Sequence, residues 1–220
     1  MLYTIIPAKV YDVNLHPGER SRMPYPAQID PRTLGKRALE VAEDRGWEAW
    51  TLRDVAGALG VTANALYRHV GDRAGLAVAM GEAATEALHA ALTAGDAPND
   101  TDGAVRSLAR RFVAFAAARP HAYAAFMRAK PSPEDPAMAV WMLLWDEVNA
   151  CVRRAVPDAA DAAAFALWAL LHGRIELAAG PAYGAAIDTG LDEAVHALLT
   201  GYRAISPVAS PLPPHARRDP

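Results

Sequence analysis

The chain has 220 residues, of which 52% are hydrophobic, and a formal net charge of −3 at pH 7. Alanine supplies much of the apolar share and favours helix over strand, so the composition predicts a mostly helical protein of one large or two small domains. The single cysteine, Cys151, excludes an intramolecular disulfide and a cysteine metal cluster. No stretch of about 20 purely apolar residues is present, and we therefore expect no membrane span.

Both ends of the chain are predicted to lie outside the fold. Residues 1–26 contain four prolines, follow no sustained helical period and lack the pattern of a secretion signal, so residues 1–29 are predicted to be a flexible arm. A second interpretation is that Met23 is the natural start, because the helical sequence begins only a few residues later. Residues 206–220, with their repeated prolines, are predicted to form a disordered tail.

Caps and breaks between these ends predict about nine helices and no sheet. Asp30 is placed to cap a first helix near Pro31–Arg45, and Asp72 to cap a longer one that reaches about Leu92. After a polar turn, the remaining helices are predicted over 102–118, 120–129, 136–155, 159–179 and 190–204. The predicted fold class is all-α, with an N-terminal domain at 30–76 and a larger helical domain at 77–205.

Residues 51–76 predict two short helices joined by a tight turn. Thr51 caps the first helix, Gly60 supplies the left-handed residue that ends it, and Thr62 caps the second. The inward stripe of the first helix comprises Leu52, Val55, Ala56 and Leu59. In the second helix Leu66 packs inward, and the positions left outside are Ala63, Asn64, Tyr67 and Arg68. Two short helices joined in this way form a helix-turn-helix, a DNA-reading unit.

Four segments between residues 31 and 80 follow one known pattern: Leu34 to Gly46, Trp47 to Thr51, Leu66 to Val70, and Gly71 to Leu76. They are similar to a first helix with a glycine turn, an aromatic-x-x-x-Thr link, a Leu-Tyr-x-His-Phe helix end and the opening of a fourth helix. This pattern resembles the tetracycline-repressor (TetR) family of bacterial transcription regulators. Val70 replaces the common phenylalanine, and Arg73 stands where a lysine is more usual.

The larger domain carries a second resemblance. The segment Phe165 to Leu177, which contains Trp168, His172 and Gly173, resembles the Trp-x-x-x-His-Gly segment of one large TetR subgroup. In that subgroup the segment belongs to a C-terminal regulatory domain. The segment Phe112 to Phe126 is similar to the same subgroup's arrangement.

The resemblance and the chemistry of exposed helix N-termini together imply DNA-facing roles. Phosphate contacts are expected from Thr51, Tyr67, His69 and Arg73, and more weakly from Arg32 and Arg53. Base contacts are expected from Thr62, Ala63 and Asn64, with Asn64 suited to adenine and Ala63 to a thymine methyl group. The alternatives are capping alone for Thr51 and Thr62, and packing for Tyr67.

Aromatic residues at helical spacing in the larger domain predict an apolar ligand pocket. Its expected apolar lining is Phe112, Phe115, Tyr123, Phe126, Trp141, Trp145 and Trp168, and its expected polar groups are Asn149, His172 and Glu176. Core packing is the alternative for each aromatic residue, and a structural role is the alternative for His172. The expected effector is a small hydrophobic or aromatic molecule.

The last two predicted helices are expected to form a homodimer interface, because a single helix-turn-helix makes too few contacts for an operator. The expected interface residues are Ala164, Leu167, Leu171, Leu191, Val195, Leu198 and Leu199, with internal core as the alternative. The predicted function is a cytoplasmic, ligand-responsive repressor that binds a palindromic double-stranded DNA operator and needs no cofactor or catalysis. The rivals are a helical small-molecule-binding or interaction protein without operator specificity and, less favoured, an enzyme.

Overall fold

The computed structural model describes residues 30–47, 49–96, 98–129, 136–180 and 186–205. The described part of the chain contains no strand, and its helices are α1 Pro31–Arg45, α2 Leu52–Ala58, α3 Ala63–Val70, α4 Arg73–Thr93, α5 Thr101–Ala118, α6 Pro120–Arg128, α7 Pro136–Ala155, α8 Ala160–Ala179 and α9 Leu191–Ala204. A short 3₁₀ turn, Pro157–Ala159, lies between α7 and α8. The prediction of an all-α fold with about nine helices is confirmed. The predicted arm, Met23 and the predicted tail lie outside the described residues.

Short polar side chains begin the first four helices, as predicted. Asp30, Thr51, Thr62 and Asp72 each accept a hydrogen bond from a backbone N–H in the first turn of the helix that follows. These bonds satisfy N–H groups that have no partner within the helix itself. Gly60 has a φ of 67° after the end of α2, which is the left-handed conformation expected of it. Local cap chemistry therefore sets these helix boundaries.

Helix α4 lies at the centre of the fold and packs against α1, α5, α6 and α7. The crossing with α1 is close at Gly35, where a Cβ atom would lie 2.9 Å from the carbonyl carbon of Ala79 and closer still to its oxygen. On another face of α4, a Cβ atom at Gly81 would lie 2.5 Å from the Cβ of Ala129, just after α6. Glycine at these two positions allows the helix backbones to approach closely.

The buried residues of α1–α3 and of the C-terminal helices belong to one core cluster. Helix α4 contributes Leu76 and Met80 near its start, and Leu88 and Leu92 near its end. It therefore continues across the predicted boundary between residues 30–76, called the N-terminal domain below, and residues 77–205, called the C-terminal domain.

Helix α6 is attached to the N-terminal domain at both of its ends. At its start, Glu43 of α1 accepts a hydrogen bond from the backbone N–H of Ala122 at 2.9 Å, and no side chain caps the helix from within. At its end, the Arg128 guanidinium lies 5.0 Å from the centre of the Trp47 ring. A carboxylate at a helix N-terminus and a cation over an indole are both favourable pairings. We call these two contacts the α6 attachments.

Candidate nucleic-acid interface and ligand site

The turn into α2 is fixed by a reciprocal pair of hydrogen bonds between Thr51 and Asp54. The Thr51 hydroxyl accepts from the Asp54 N–H at 3.3 Å, and the Asp54 carboxylate accepts from the Thr51 N–H at 2.8 Å. The hydrogen bonds from Thr51 lower the pKa of Asp54 below its usual value. This is a capping box, so the capping role of Thr51 is present in the structure, while the residue stays exposed beside the helix N-terminus.

Helix α3 is buried on one side and exposed on the other. Ala65 and Leu66 are 8% and 0% exposed, and they pack toward the core. Of the expected base contacts, Thr62 and Asn64 are exposed, and Ala63 is partly buried. Tyr67 and His69, which we expect at phosphates, are also exposed. The structure therefore leaves the polar side chains of α3 accessible on the outside of the helix-turn-helix.

Arg73, at the start of α4, is held in place by Trp50. Its guanidinium lies 4.2 Å from the centre of the indole and donates a hydrogen bond to the Trp50 carbonyl oxygen at 3.4 Å. Trp50 itself is 1% exposed. Trp50 was not among the predicted site residues, although it directly precedes the Thr51 cap in the sequence. The pair fixes a positive charge at the N-terminus of α4, which is suited to a phosphate.

The two weaker phosphate candidates differ in their surroundings. Arg32 is largely exposed, but its Nε atom lies 3.7 Å from the Glu86 carboxylate, which competes for its charge. Arg53, on α2, is exposed, and in the part of the chain that the structure describes it forms no ion pair. Arg53 is therefore the more available of the two for a phosphate.

The predicted pocket aromatics of α5, α6, α7 and α8 form one cluster in the C-terminal domain. Trp168 lies 5.3 Å from Phe112, 6.0 Å from Phe126 and 5.6 Å from Trp145, measured between ring centres. Trp141 stacks on Trp145 at 6.0 Å. Phe112 and Phe126 are buried, so the cluster contributes core packing whether or not a ligand reaches it. The structure thus brings together most of the predicted aromatic lining.

His172 and Tyr123 form a polar pair inside this cluster. The Tyr123 hydroxyl lies 2.6 Å from Nδ1 of His172, whose ring stacks on Phe126. Burial lowers the pKa of His172 to about 4 and raises the pKa of Tyr123, which the Glu176 carboxylate raises further. The imidazole is therefore neutral and the phenol keeps its proton, so one hydrogen bond joins the two groups, and the tautomer of His172 sets which of them donates.

We expect acidification to destabilise the chain through His172. Its pKa is about 4 in the folded chain and near the ordinary 6.5 when unfolded, so the unfolded chain takes up the proton first as pH falls. The contribution of the neutral imidazole is complete above about pH 6.5 and is lost progressively toward about pH 4. Because the ring is only partly buried, the expected loss is on the order of 1–2 kcal/mol.

Urea unfolding of the wild type and of His172→Gln, between about pH 7 and about pH 4.5, measures this loss. The carboxylates titrate alike in both proteins, so the difference between the two pH slopes isolates the imidazole. We expect the wild type to lose more stability on acidification than the glutamine variant. Parallel slopes would contradict the assignment of a buried neutral imidazole.

The remaining pocket candidates lie at the edge of the cluster. The buried ring of Phe115 faces Arg119, whose guanidinium is 5.7 Å from the ring centre, and the Asn149 side chain donates to the Trp145 carbonyl oxygen at 3.0 Å. Glu176 is exposed. Beside the cluster, a groove of about 480 Å³ opens between α6 and α8, and its lining includes Tyr123, Ala124, Met127, Ile175 and Glu176. Tyr123 is thus shared by the cluster and the groove.

The expected dimer residues lie mostly inside a single chain. Leu198 is partly exposed, and the other six are buried against the chain's own core: Ala164, Leu167, Leu171, Leu191, Val195 and Leu199. For those six the structure fits the alternative to an interface, which is internal core, because a second chain cannot reach side chains that are already enclosed. The outer face of α8 is apolar as well, with Phe165 67% exposed and Leu177 49% exposed.

Helix α8 is also unusual in its hydropathy among the helices of the described residues. The segment Pro157–Ala159 with α8 is long and apolar enough to cross a membrane by length and composition alone, with a mean hydropathy of 1.3 and 28% of its most apolar window buried. The same test is passed by core helices of soluble proteins, and α8 contributes Leu167, Leu171 and Ile175 to the core. The helix therefore does not indicate a membrane protein.

Comparisons with known proteins agree with this architecture. The chain matches the family model "Bacterial regulatory proteins, tetR family" over residues 36–80 and the model "Tetracyclin repressor-like, C-terminal domain" over residues 105–202. None of the curated proteins compared matches it. Among solved structures, a protein of unknown function from Rhodococcus sp. RHA1 is 27% identical with a TM-score of 0.65, and the match covers 81% of this chain and 98% of that one.

Two further structures share the fold at lower identity. A TetR-family transcriptional regulator from Thermus thermophilus is 20% identical with a TM-score of 0.53, over 76% of this chain and 97% of that one. A TetR variant from Acinetobacter baumannii, solved in complex with minocycline, is 19% identical with a TM-score of 0.57, over 80% and 97%. With both family models matched in the expected order on an all-α fold, the chain belongs to the TetR family of bacterial regulatory proteins.

Proposed function

We propose that this protein is a sequence-specific transcriptional regulator that binds a palindromic operator as a homodimer and is released by a small-molecule effector. The observation that carries the proposal is the helix-turn-helix, in which α3 is anchored by Ala65 and Leu66 while Asn64 and Tyr67 remain exposed. An exposed polar helix face of this kind fits the major groove of DNA.

The contacts with DNA divide by chemistry. We assign base reading to the front of α3, with Thr62, Ala63 and Asn64, since these residues are the first to enter the groove. We assign phosphate binding to residues near helix N-termini or exposed beside them: Thr51, Tyr67, His69, Arg73, Arg32 and Arg53. Both the hydroxyl and the backbone N–H of Thr51 already bond to Asp54 in the capping box, so a phosphate at Thr51 must share these donors with the Asp54 carboxylate.

Replacing Asn64 by alanine is expected to lower affinity for the selected operator by roughly 10-fold or more, because a paired amide contact to adenine contributes about 1–3 kcal/mol. The site is first obtained by selecting duplexes bound by the full chain from a random pool and titrating them at one salt concentration. Thr93→Ala is the matched control, because Thr93 is exposed at the far end of α4 and, among the described residues, its hydroxyl bonds within that helix. Equal affinities of wild type and Asn64→Ala would contradict the assignment.

The same selection experiment also tests for a dimer. An enriched palindrome requires two α3 helices about 34–36 Å apart, or a multiple of that spacing. We propose that α8 and α9 still form the interface, through their outer faces and not through the enclosed residues first expected. The exposed apolar side chains there include Phe165 and Leu177 on α8, and exposed small residues lie on α8 at Ala169 and Gly173 and on α9 at Ala197 and Gly201. Exposed apolar area of this kind favours association with a second chain.

For the effector, we propose the groove between α6 and α8 together with the neighbouring aromatic cluster. The groove is walled by apolar side chains such as Met127 and Ile175, and Tyr123 and Glu176 supply polar groups. Such a lining suits a small hydrophobic or aromatic molecule with one polar group. A larger groove of about 690 Å³, between α5 and the start of α9, includes the Arg110–Asp192 ion pair but is not lined by α6.

The α6 attachments give the groove a route to the DNA-binding helices. A ligand that displaces α6 changes the position of Ala122 relative to Glu43 and of Arg128 relative to Trp47. Both partners, Glu43 and Trp47, belong to the N-terminal domain. A ligand with different affinities for two positions of α6 therefore shifts the two α3 helices, with a coupling of about 1–3 kcal/mol in typical systems.

The main alternative is a helical binding protein that has lost operator recognition. It predicts equal binding to random and selected DNA and a steep loss of affinity with salt, since only phosphate contacts would remain. The selection experiment separates the two proposals, because only a specific regulator enriches one sequence.

We propose a cytoplasmic location, where an operator is accessible.

A further inference from the structure

We propose that Arg68 reads a guanine in each operator half-site. The inference rests on the proposed function, since it requires α3 to lie in the major groove. It adds a fourth base-reading residue to Thr62, Ala63 and Asn64, and it predicts which base pair that residue recognises.

The position of Arg68 on α3 is the first observation. Arg68 follows Asn64 by four residues, so the two side chains lie on the same face of the helix, with Tyr67 beside them. All three side chains are exposed, whereas Ala65 and Leu66 turn toward the core. If Asn64 faces the bases, Arg68 faces the same groove one helical turn further along.

The second observation is that Arg68 keeps its charge available. Three other cations of the N-terminal domain are engaged in ion pairs: Arg37 with Glu40 at 2.7 Å, Arg45 with Asp54 at 3.1 Å, and Lys36 with Glu86 at 3.6 Å. Among the described residues, no carboxylate lies within ion-pair distance of Arg68. An arginine that is exposed on a reading helix and not neutralised by the protein is available to an acceptor on the DNA.

The chemistry of the guanidinium selects the base. Its planar fork presents two parallel N–H donors, which match the O6 and N7 acceptors of guanine in the major groove. Arg73 differs, because it is pinned on Trp50 at the start of α4. Arg53 differs as well, because it lies on α2 and not on the reading helix. Those two arginines suit phosphates, and Arg68 is the one placed for a base edge.

The test compares full-length wild type, Arg68→Lys, Arg68→Ala and Arg53→Ala on the selected site, with each base pair replaced in turn. Lysine keeps the charge but loses the paired donors, so it separates base reading from phosphate attraction. We expect both Arg68 variants to lose discrimination at one G·C pair per half-site, by roughly 5- to 100-fold, with the other positions unchanged. Arg53→Ala is expected to weaken all sites alike and to reduce the salt dependence of binding.

The outcomes separate the inference from the function on which it rests. The role of Arg68 would be overturned if a palindrome is enriched and Arg68→Ala keeps the wild-type preference at every base pair, whether or not its affinity falls uniformly. The proposed regulator would then remain intact. No enriched sequence from folded wild-type dimer would overturn the proposed function and this inference with it. Circular dichroism of each variant verifies that the helices persist.

Discussion

Gly35→Ala is expected to destabilise the protein by about 3 kcal/mol and to lower its melting temperature by about 6–12 °C. The new methyl group would lie 2.9 Å from the Ala79 carbonyl carbon and closer still to its oxygen, so it meets the backbone of α4 and not a side chain that can rotate away. Helices α1 and α4 must then separate, and the gain in helix propensity of about 1 kcal/mol is too small to offset this. Thermal unfolding followed by circular dichroism measures the change.

The chain supplies a matched control on α2. Gly57 is also a helical glycine, but a Cβ atom there meets nothing within 4 Å. Gly57→Ala should therefore stabilise the protein by about 0.5–1 kcal/mol through helix propensity alone. If the two variants change the melting temperature in the same direction, close α1–α4 packing is not what requires glycine at position 35.

Trp50→Ala is expected to cost about 3–5 kcal/mol, because the indole is 1% exposed and its removal leaves a cavity in the core. It should also weaken operator binding beyond the loss of stability, since Arg73 loses the ring on which its guanidinium lies. Urea unfolding gives the first effect, and titration of the selected site at a temperature where the variant is folded gives the second.

Trp50→Phe separates the contribution of the aromatic ring from that of the indole nitrogen. Within the described part of the chain, the Trp50 Nε1 atom is buried without a hydrogen-bond partner, so phenylalanine removes an unsatisfied donor while it keeps an aromatic surface for Arg73. We expect a cost of about 1–2 kcal/mol and operator binding close to that of the wild type. A phenylalanine variant as impaired as the alanine variant would show that the indole nitrogen, and not the aromatic surface, makes the contribution.

The helix boundaries of the N-terminal domain were predictable because they depend on residues close in sequence. Asp30, Thr51, Thr62 and Asp72 bond to amides two or three residues later, and Gly60 ends α2 by its own backbone conformation. Local chemistry of this kind is visible in a single sequence. The family resemblance, read from the same segments, is confirmed by the matching family models.

Which face of α8 lies in the core was not predictable in the same way. Apolar residues lie all around this helix, with Leu167 and Leu171 enclosed in the core and Phe165 exposed on the other side. A helix that is apolar on every side carries no periodic signal that separates core from interface. The prediction therefore assigned enclosed residues to a contact with a second chain, and an interface on α8 and α9 stays a proposal.

Contacts between residues far apart in the sequence could not be predicted either. Trp50 and Arg73 are separated by 23 positions, and Tyr123 and His172 by 49. Each side chain alone has an ordinary interpretation as a core aromatic, a surface cation or a structural histidine. Only the packing of α4 and α8 against their neighbours brings the partners together, and that packing depends on the whole core.

The single hydrophobic core that α4 runs through has a consequence for how the family's parts can be recombined. Residues of α4 are shared between the reading helices and the bundle, and α6 takes its N-terminal cap from Glu43. A cut near residue 76 would separate Trp47 from Arg128 on α6 and Gly35 from Ala79 on α4, so both products would lose packing partners. Chimeric regulators built on this chain should therefore be joined beyond α6, so that α6 stays with the α1 that caps it.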